Sequence, residues 1–127
     1  MVQEVPSHTF SVGTATHGVM GVDQPNYGVL AAPTRVVHGG VLAMSELIHP
    51  LVEPEIAFVM AADVPDPTGT AAAVASVHAA LEIVDTRYEA YKFKAADNIA
   101  DNSSAARFVI GPAMTPDGEV CLPAYSH

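Results

Sequence analysis

The sequence predicts a mixed, β-rich α+β domain with one short helix. Three observations carry this expectation. Short apolar runs are separated by turns rich in Gly and Pro, the clearest run alternates at period two, and only one Ala-rich stretch suits a helix. The 127 residues suffice for one domain with one core. With 50% hydrophobic and 15% charged residues, the chain is expected to fold rather than stay disordered. Its apolar content is mostly Ala and Val, with no Trp, so each buried residue contributes little area and oligomer contacts are expected to help.

Along the chain, residues 1–10 are polar and expected to be loose. Ser11–Met20, rich in Gly and Thr, reads as a loop or short strand. Gly21–Gly28 places Pro25 beside Asn26 and reads as a turn. Val29–Leu30 and Arg35–Val37 read as short strands around Pro33, and Gly39–Gly40 breaks the chain. Ile48–Met60 is the clearest strand. It sets Val52, Ile56, Phe58 and Met60 on one face and Glu53, Glu55, Ala57 and Val59 on the other. Pro54 has no N–H, so this strand should lie at a sheet edge or carry a bulge. Asp63–Thr70 reads as a loop, and Ala71–His78 as the helix, capped by Thr70. Ala80–Val84 reads as a buried strand, Arg87–Lys94 as strand-like, and Asn98–Ala105 as a loop. Arg107–Ile110 reads as a strand ending at Gly111–Pro112, and Thr115–Gly118 as a turn. Residues 119–127 carry no structural signal, so 1–127 is expected to form a single domain with loose ends.

Charge narrows the partners. Fourteen acidic residues against five basic ones give a formal net charge of −9. No nucleic-acid partner is expected, because phosphate binding needs clustered Lys and Arg. An anionic membrane surface is disfavoured for the same reason. The N-terminus has neither a basic start nor an apolar h-region, and Cys121 is the sole cysteine. A cytoplasmic location is therefore expected. A cation fits the charge balance, though an ordinary acidic surface fits it as well.

Three carboxylates refine that. Glu53 and Glu55 are two apart on a strand and point the same way, which repels unless something positive lies between them. Hard oxygen ligands suit Mg²⁺ or Mn²⁺, while two solvated glutamates on an edge strand are the plain alternative. Glu82 stands between Leu81 and Ile83 in an apolar run. A glutamate there must be paired, protonated or metal-bound, with Arg87 or Arg107 as the partners available for an ion pair.

The stretches SELIHPLVEPEIAFV (Ser45–Val59), ALEIVDTRYEAYKF (Ala80–Phe93) and IADNSSAARFVIG (Ile99–Gly111), with GVDQPNYGVL (Gly21–Leu30), resemble the 2-keto-4-pentenoate hydratase and 4-oxalocrotonate decarboxylase group of the fumarylacetoacetate hydrolase superfamily. The blocks occur in the family's order and cover most of Gly21–Pro112. The resemblance implies a partial β-roll of the fumarylacetoacetate hydrolase type. It implies that Glu53, Glu55 and Glu82 hold Mg²⁺ or Mn²⁺, and that the metal chelates the 1-carboxylate and 2-oxo group of a small 2-oxo dienoic or enedioic acid. It points to Ser104 and Asp101 as active-site wall, with Asp97 and Asp23 as further candidates. The implied reaction is decarboxylation of a 2-oxo-3-enedioate in aromatic meta-cleavage catabolism, with hydration of a 2-oxo-4-enoate as the alternative. In both, the metal stabilises a dienolate.

The sequence departs from the family in ways that bear on activity. It has roughly half the family's length, without the helical N-terminal portion or most of the family's sequence beyond the Gly111 strand. A lysine block that precedes GVDQP in the family is missing, and His8 or Ser11 stands near its place. The segment between Asp63 and His78 is short, and Asn26 replaces a frequent aspartate. A non-enzymatic relative is therefore the other class of reading. Either form is expected to be a homo-oligomer or to associate with a related subunit.

Overall fold

The computed structural model describes residues 8–12, 26–63 and 73–114, with side-chain surroundings for 28–63 and 73–114. Strands β1 (His8–Val12) and β2 (Asn26–Leu30) form an antiparallel pair. Strands β3 (Leu51–Met60), β4 (Val74–Val84) and β5 (Ala105–Met114) form an antiparallel sheet in the order β3-β4-β5. Helix α1 (Ala95–Ala100) lies between β4 and β5 in sequence. A strand-rich domain with one short helix is thus observed among the described residues, and the sheet is open.

The helix is not where the sequence places it. Local composition favours a helix over Ala71–His78, yet from Val74 onward this segment is the first part of β4. The reason is tertiary. β4 is the central strand and hydrogen-bonds to β3 on one side and β5 on the other, which outweighs the helical preference of four alanines. Asn98–Ala105, expected as a loop, instead holds the end of α1 and the tight turn Asn102–Ser104. Arg87–Lys94, expected as strand-like, is a loop with a turn at Glu89–Tyr91. Its aromatics alternate with charges, but the backbone is left-handed at Ala90 and Tyr91 (φ 52° and 57°), which no strand allows. Arg35 makes only a single bridge, to Phe108. His8–Phe10, expected to be loose, and Asn26–Gly28, expected in a turn, instead lie in the paired strands β1 and β2, while the readings of 1–7, 13–25, 64–70 and 115–127 fall outside the described residues.

β3 lies at the sheet edge, as Pro54 requires, and its only register shift falls between Val59 and Met60. β5 continues through Gly111–Pro112 to Met114. It can do so because β5 is also an edge, and because Gly111 and Pro112 together oppose Ala79 as a bulge. The covered face of β3 is the one bearing the glutamates. Ala57 is buried and Glu53 and Glu55 half-buried, whereas Val52 and Phe58 are 61% and 54% exposed.

The interior next to that face is mostly polar. Val84 packs against Tyr91 and Phe93, but Glu82, Asp85, Thr86, Asn98, Asp101, Ser103 and Ser104 are also buried. Buried polar groups need partners, and the chain supplies them locally. Asp101 accepts from the Thr86 hydroxyl at 2.9 Å and the Arg87 N–H at 3.2 Å, and pairs with the Arg87 guanidinium. Asn102 acts like a strand edge: its side chain accepts the Val29 N–H (2.7 Å) and donates to the Val29 carbonyl (3.0 Å). This close approach requires Gly28, where a Cβ would lie 2.8 Å from the Asn102 carbonyl oxygen. Gly28→Ala should therefore cost about 2 kcal/mol, read as a lower denaturant midpoint at unchanged slope. An unaffected midpoint would show that β2 is not docked on this turn.

Candidate metal centre

β3 and β4 bring the three glutamates together by register alone. Glu53 is directly opposite Glu82, and Glu55 is one step along, opposite Ala80. All three side chains project from the same face. Each offers a carboxylate oxygen, and these oxygens lie within 4.8 Å of one another.

The electrostatics of the cluster are unfavourable by themselves. Burial pushes the Glu82 carboxyl up to about 7, and the charges of Glu53 and Glu55 add to the rise. Glu53 is raised by burial and then by Glu55, and Glu55 is raised by burial. Neither candidate ion-pair partner relieves Glu82. Arg87 is engaged by Asp101, and Arg107 reaches Glu46 at 3.3 Å. Buried oxygens of Glu53 and Glu82 have no hydrogen-bond partner among the described residues. Buried, clustered and partnerless oxygens are the donor set a hard divalent cation takes, so these residues fit such an ion. Protons compete for the same oxygens. Apparent affinity for Mg²⁺ should therefore be about tenfold weaker at pH 6 than on its plateau above pH 8. Calorimetric titration at both values checks this, and a flat profile would place any binding elsewhere.

The entrance to β3 is fixed by Asp85, which ends the β4 run. Its carboxylate accepts the main-chain N–H groups of Ile48 and His49, both at 2.8 Å. Tyr91 closes the same corner. Its hydroxyl lies 3.1 Å from each of the carbonyls of His49 and Val84, and its ring packs 5.1 Å from the His49 imidazole. Burial, followed by the charge of Asp85, holds the Tyr91 hydroxyl above its usual range, and Glu53 adds to this. His49 Nε2 is buried without a partner among the described residues. Asp85 and Tyr91 do not stand out in the sequence, because an aspartate after a strand and a tyrosine among charges carry no signal of their own.

The other sequence candidates among the described residues are not part of the carboxylate cluster. Ser104 is fully buried and donates its hydroxyl to Asn98 Oδ1 at 3.0 Å. Asp97 accepts the Lys94 N–H at 3.0 Å at the start of α1. Asp101 ends α1 in the network with Thr86 and Arg87. Asp23 lies outside the described residues. The turn that carries Ser104 is left-handed at Asn102, Ser103 and Ser104 (φ 54°, 57° and 60°), a strained run of the kind found at functional sites.

Fold and site together define a small antiparallel-sheet domain with a carboxylate cluster suited to a divalent cation. No family model matches the chain. Over 99 residues it is 42% identical to a 4-oxalocrotonate decarboxylase of Pseudomonas putida, covering 75% of this chain and 38% of that protein. Over 101 residues it is 39% identical to 2-keto-4-pentenoate hydratase 2 of Dechloromonas aromatica strain RCB, covering 76% of this chain and 38% of that protein. The structure of 4-oxalocrotonate decarboxylase from Pseudomonas putida G7, complexed with magnesium and adipate, matches with a TM-score of 0.69 and 40% identity over 77% of this chain and 39% of that one. The same enzyme complexed with calcium and acetate matches with a TM-score of 0.66. The chain belongs, as a partial-length member, to the group of 4-oxalocrotonate decarboxylases and 2-keto-4-pentenoate hydratases. It spans less than two fifths of the length of these relatives. Among the described residues, no helix is long and apolar enough to cross a membrane.

Proposed function

We propose that the chain holds a divalent cation, Mg²⁺ or Mn²⁺, through Glu53, Glu55 and Glu82, and decarboxylates a 2-oxo-3-enedioate as a carbon–carbon lyase. The observation that carries this reading is the three-carboxylate cluster, in which buried oxygens of Glu53 and Glu82 have no hydrogen-bond partner among the described residues, in a chain related to decarboxylases of that substrate class. A divalent ion bound there supplies a Lewis acid, which draws electron density from a 2-oxo acid. The chain's own residues do the rest. Burial of Glu82 keeps water from one side of the cluster. Asp85 and Tyr91 fix the corner from which β3 presents Glu53. His49 offers a buried Nε2 on which a proton can be held. Ser104, Asp101 and Asp97 enter as wall residues on α1 and the left-handed Asn102–Ser104 turn that follows it, and Asp23 as a further candidate.

The finer fold reading goes with this: residues 1–127 form one catalytic-type domain, part of a β-roll. Association with a second copy or a related subunit completes it, consistent with the open apolar face of β3 at Val52 and Phe58. A second reading, hydration of a 2-oxo-4-enoate, has its own support in the 39% identity to a hydratase. The test is direct. With Mg²⁺ and 4-oxalocrotonate, the chain is expected to release CO₂, and Glu82→Gln to release none. A 4-hydroxy-2-oxo acid formed from 2-keto-4-pentenoate would favour the hydratase. Metal binding with neither product would assign the chain a partner role only.

A further inference from the structure

The face of β4 that bears Glu82 also bears His78 and Ser76 toward the strand's other end. Ser76 lies opposite Val59, about 20 Å along the strand from Glu82 at the usual rise per residue. The metal reading makes no use of either residue. Ser76 Oγ lies 2.8 Å from His78 Nε2, and His78 Nδ1 lies 2.9 Å from the Gly111 carbonyl oxygen.

These contacts fix the proton positions. A carbonyl oxygen only accepts, so Nδ1 carries the hydrogen and donates it. In the neutral ring Nε2 then holds the lone pair and accepts from the Ser76 hydroxyl. The Gly111 carbonyl is placed for this by the β5 bulge, in which Gly111 and Pro112 oppose Ala79. Glycine is required there, because a Cβ would lie 2.9 Å from the Ala79 carbonyl oxygen. Hydroxyl, imidazole base and an acceptor that orients the base form the arrangement that activates a nucleophile. Both side chains are only half-buried, so a reagent can reach them.

We propose that Ser76, with His78 as its base, is a nucleophile that accepts an acyl group from an activated carboxylic ester. Ser76 Oγ bonds to the ester carbonyl carbon as its proton passes to His78 Nε2. The bond to the leaving alkoxide breaks, and that oxygen takes the proton from His78. Water then attacks the acyl–Ser76 ester, returning the acid and, through His78, the Ser76 hydroxyl. The sum is ester plus water to acid plus alcohol. This activity is independent of the carboxylate cluster and needs no metal.

The test uses the whole chain in chelator with p-nitrophenyl acetate and, separately, a fluorophosphonate. p-Nitrophenolate release, intact mass and peptide mapping are the readouts. One adduct per chain is expected, on Ser76, with none in Ser76→Ala. General-base help is worth about 100-fold, so labelling should fall by that factor in His78→Asn. Asparagine keeps a donor toward the Gly111 carbonyl but has no basic nitrogen, so an unchanged melting temperature separates chemistry from folding. Absence of a Ser76 adduct, or an adduct that forms as fast in His78→Asn, overturns the proposal. If His78→Asn does not fold, the ratio of Ser76 to Ser45 labelling in the unaltered chain decides. A ratio near one overturns the proposal, and a ratio of about 100 supports it.

Discussion

Glu82→Gln is expected to make the metal-free protein more stable at pH 8 while abolishing its stabilisation by divalent ions. Glu82 is 2% exposed, and its carboxyl is raised from 4.5 to about 7 by burial and by its two glutamate neighbours. A folded-state value above the unfolded one means that the native state binds the proton more tightly. The resulting stability is fully present below pH 4.5 and is lost as pH rises through about 7. A shift of that size corresponds to about 3 kcal/mol, or roughly ten degrees of melting temperature for a chain this short. Glutamine has nearly the same shape and no charge, so it escapes the loss. In chelator, the variant should melt above the parent at pH 8 and level with it at pH 4. Millimolar Mg²⁺ should then raise the melting temperature of the parent at pH 8 and leave that of the variant unchanged, because only the parent gains from binding. A variant that melts below the parent in chelator, or gains equally from Mg²⁺, would show that the three carboxylates are not a metal-seeking cluster.

What was legible in the sequence is what depends on side-chain parity. Glu53 and Glu55 share a face because they are two apart, and Pro54 between them marks an edge strand. Both follow from one segment of chain, and both are observed. Glu82 could be recognised as costly from its neighbours, but not what would relieve it. That depended on where Arg87 and Arg107 go, and both go elsewhere. The family resemblance supplied the link between strands that parity could not. It did not supply the course of the chain between Ala71 and His78, where alanines favour a helix locally and the two flanking strands impose extension. The turn at Asn102–Ser104 was illegible for a related reason. Left-handed residues other than Gly have no compositional mark, and only the surrounding hydrogen bonds hold them. The Ser76–His78 pair, two residues apart, was hidden by the expectation of a helix, in which that spacing points to different faces.

The same reasoning makes Asp85 the residue through which the fold positions the site. Asp85 is 6% exposed, and its carboxylate accepts two main-chain N–H groups at 2.8 Å, from the residues that lead into β3. Its own N–H donates to the Ser104 carbonyl at 2.8 Å, so it joins the β3 entrance to the strained turn before β5. Asp85→Ala leaves two N–H groups without their acceptor and should cost about 3 kcal/mol. Asp85→Asn retains one carbonyl acceptor and should lose roughly half as much. The variants should also separate positioning from ligation. Glu53, four residues beyond His49, keeps its own carboxylate but loses the anchor that sets its place beside Glu82. Mg²⁺ affinity should then fall about tenfold in Asp85→Ala, measured well below its melting temperature, although no proposed ligand has changed. In Asp101→Asn, which weakens the far end of α1 instead, affinity should stay within twofold of the parent while stability falls by about 2 kcal/mol. If the two variants lost affinity equally, the loss would come from general loosening of the domain, and Asp85 would have no particular hold on the proposed metal centre.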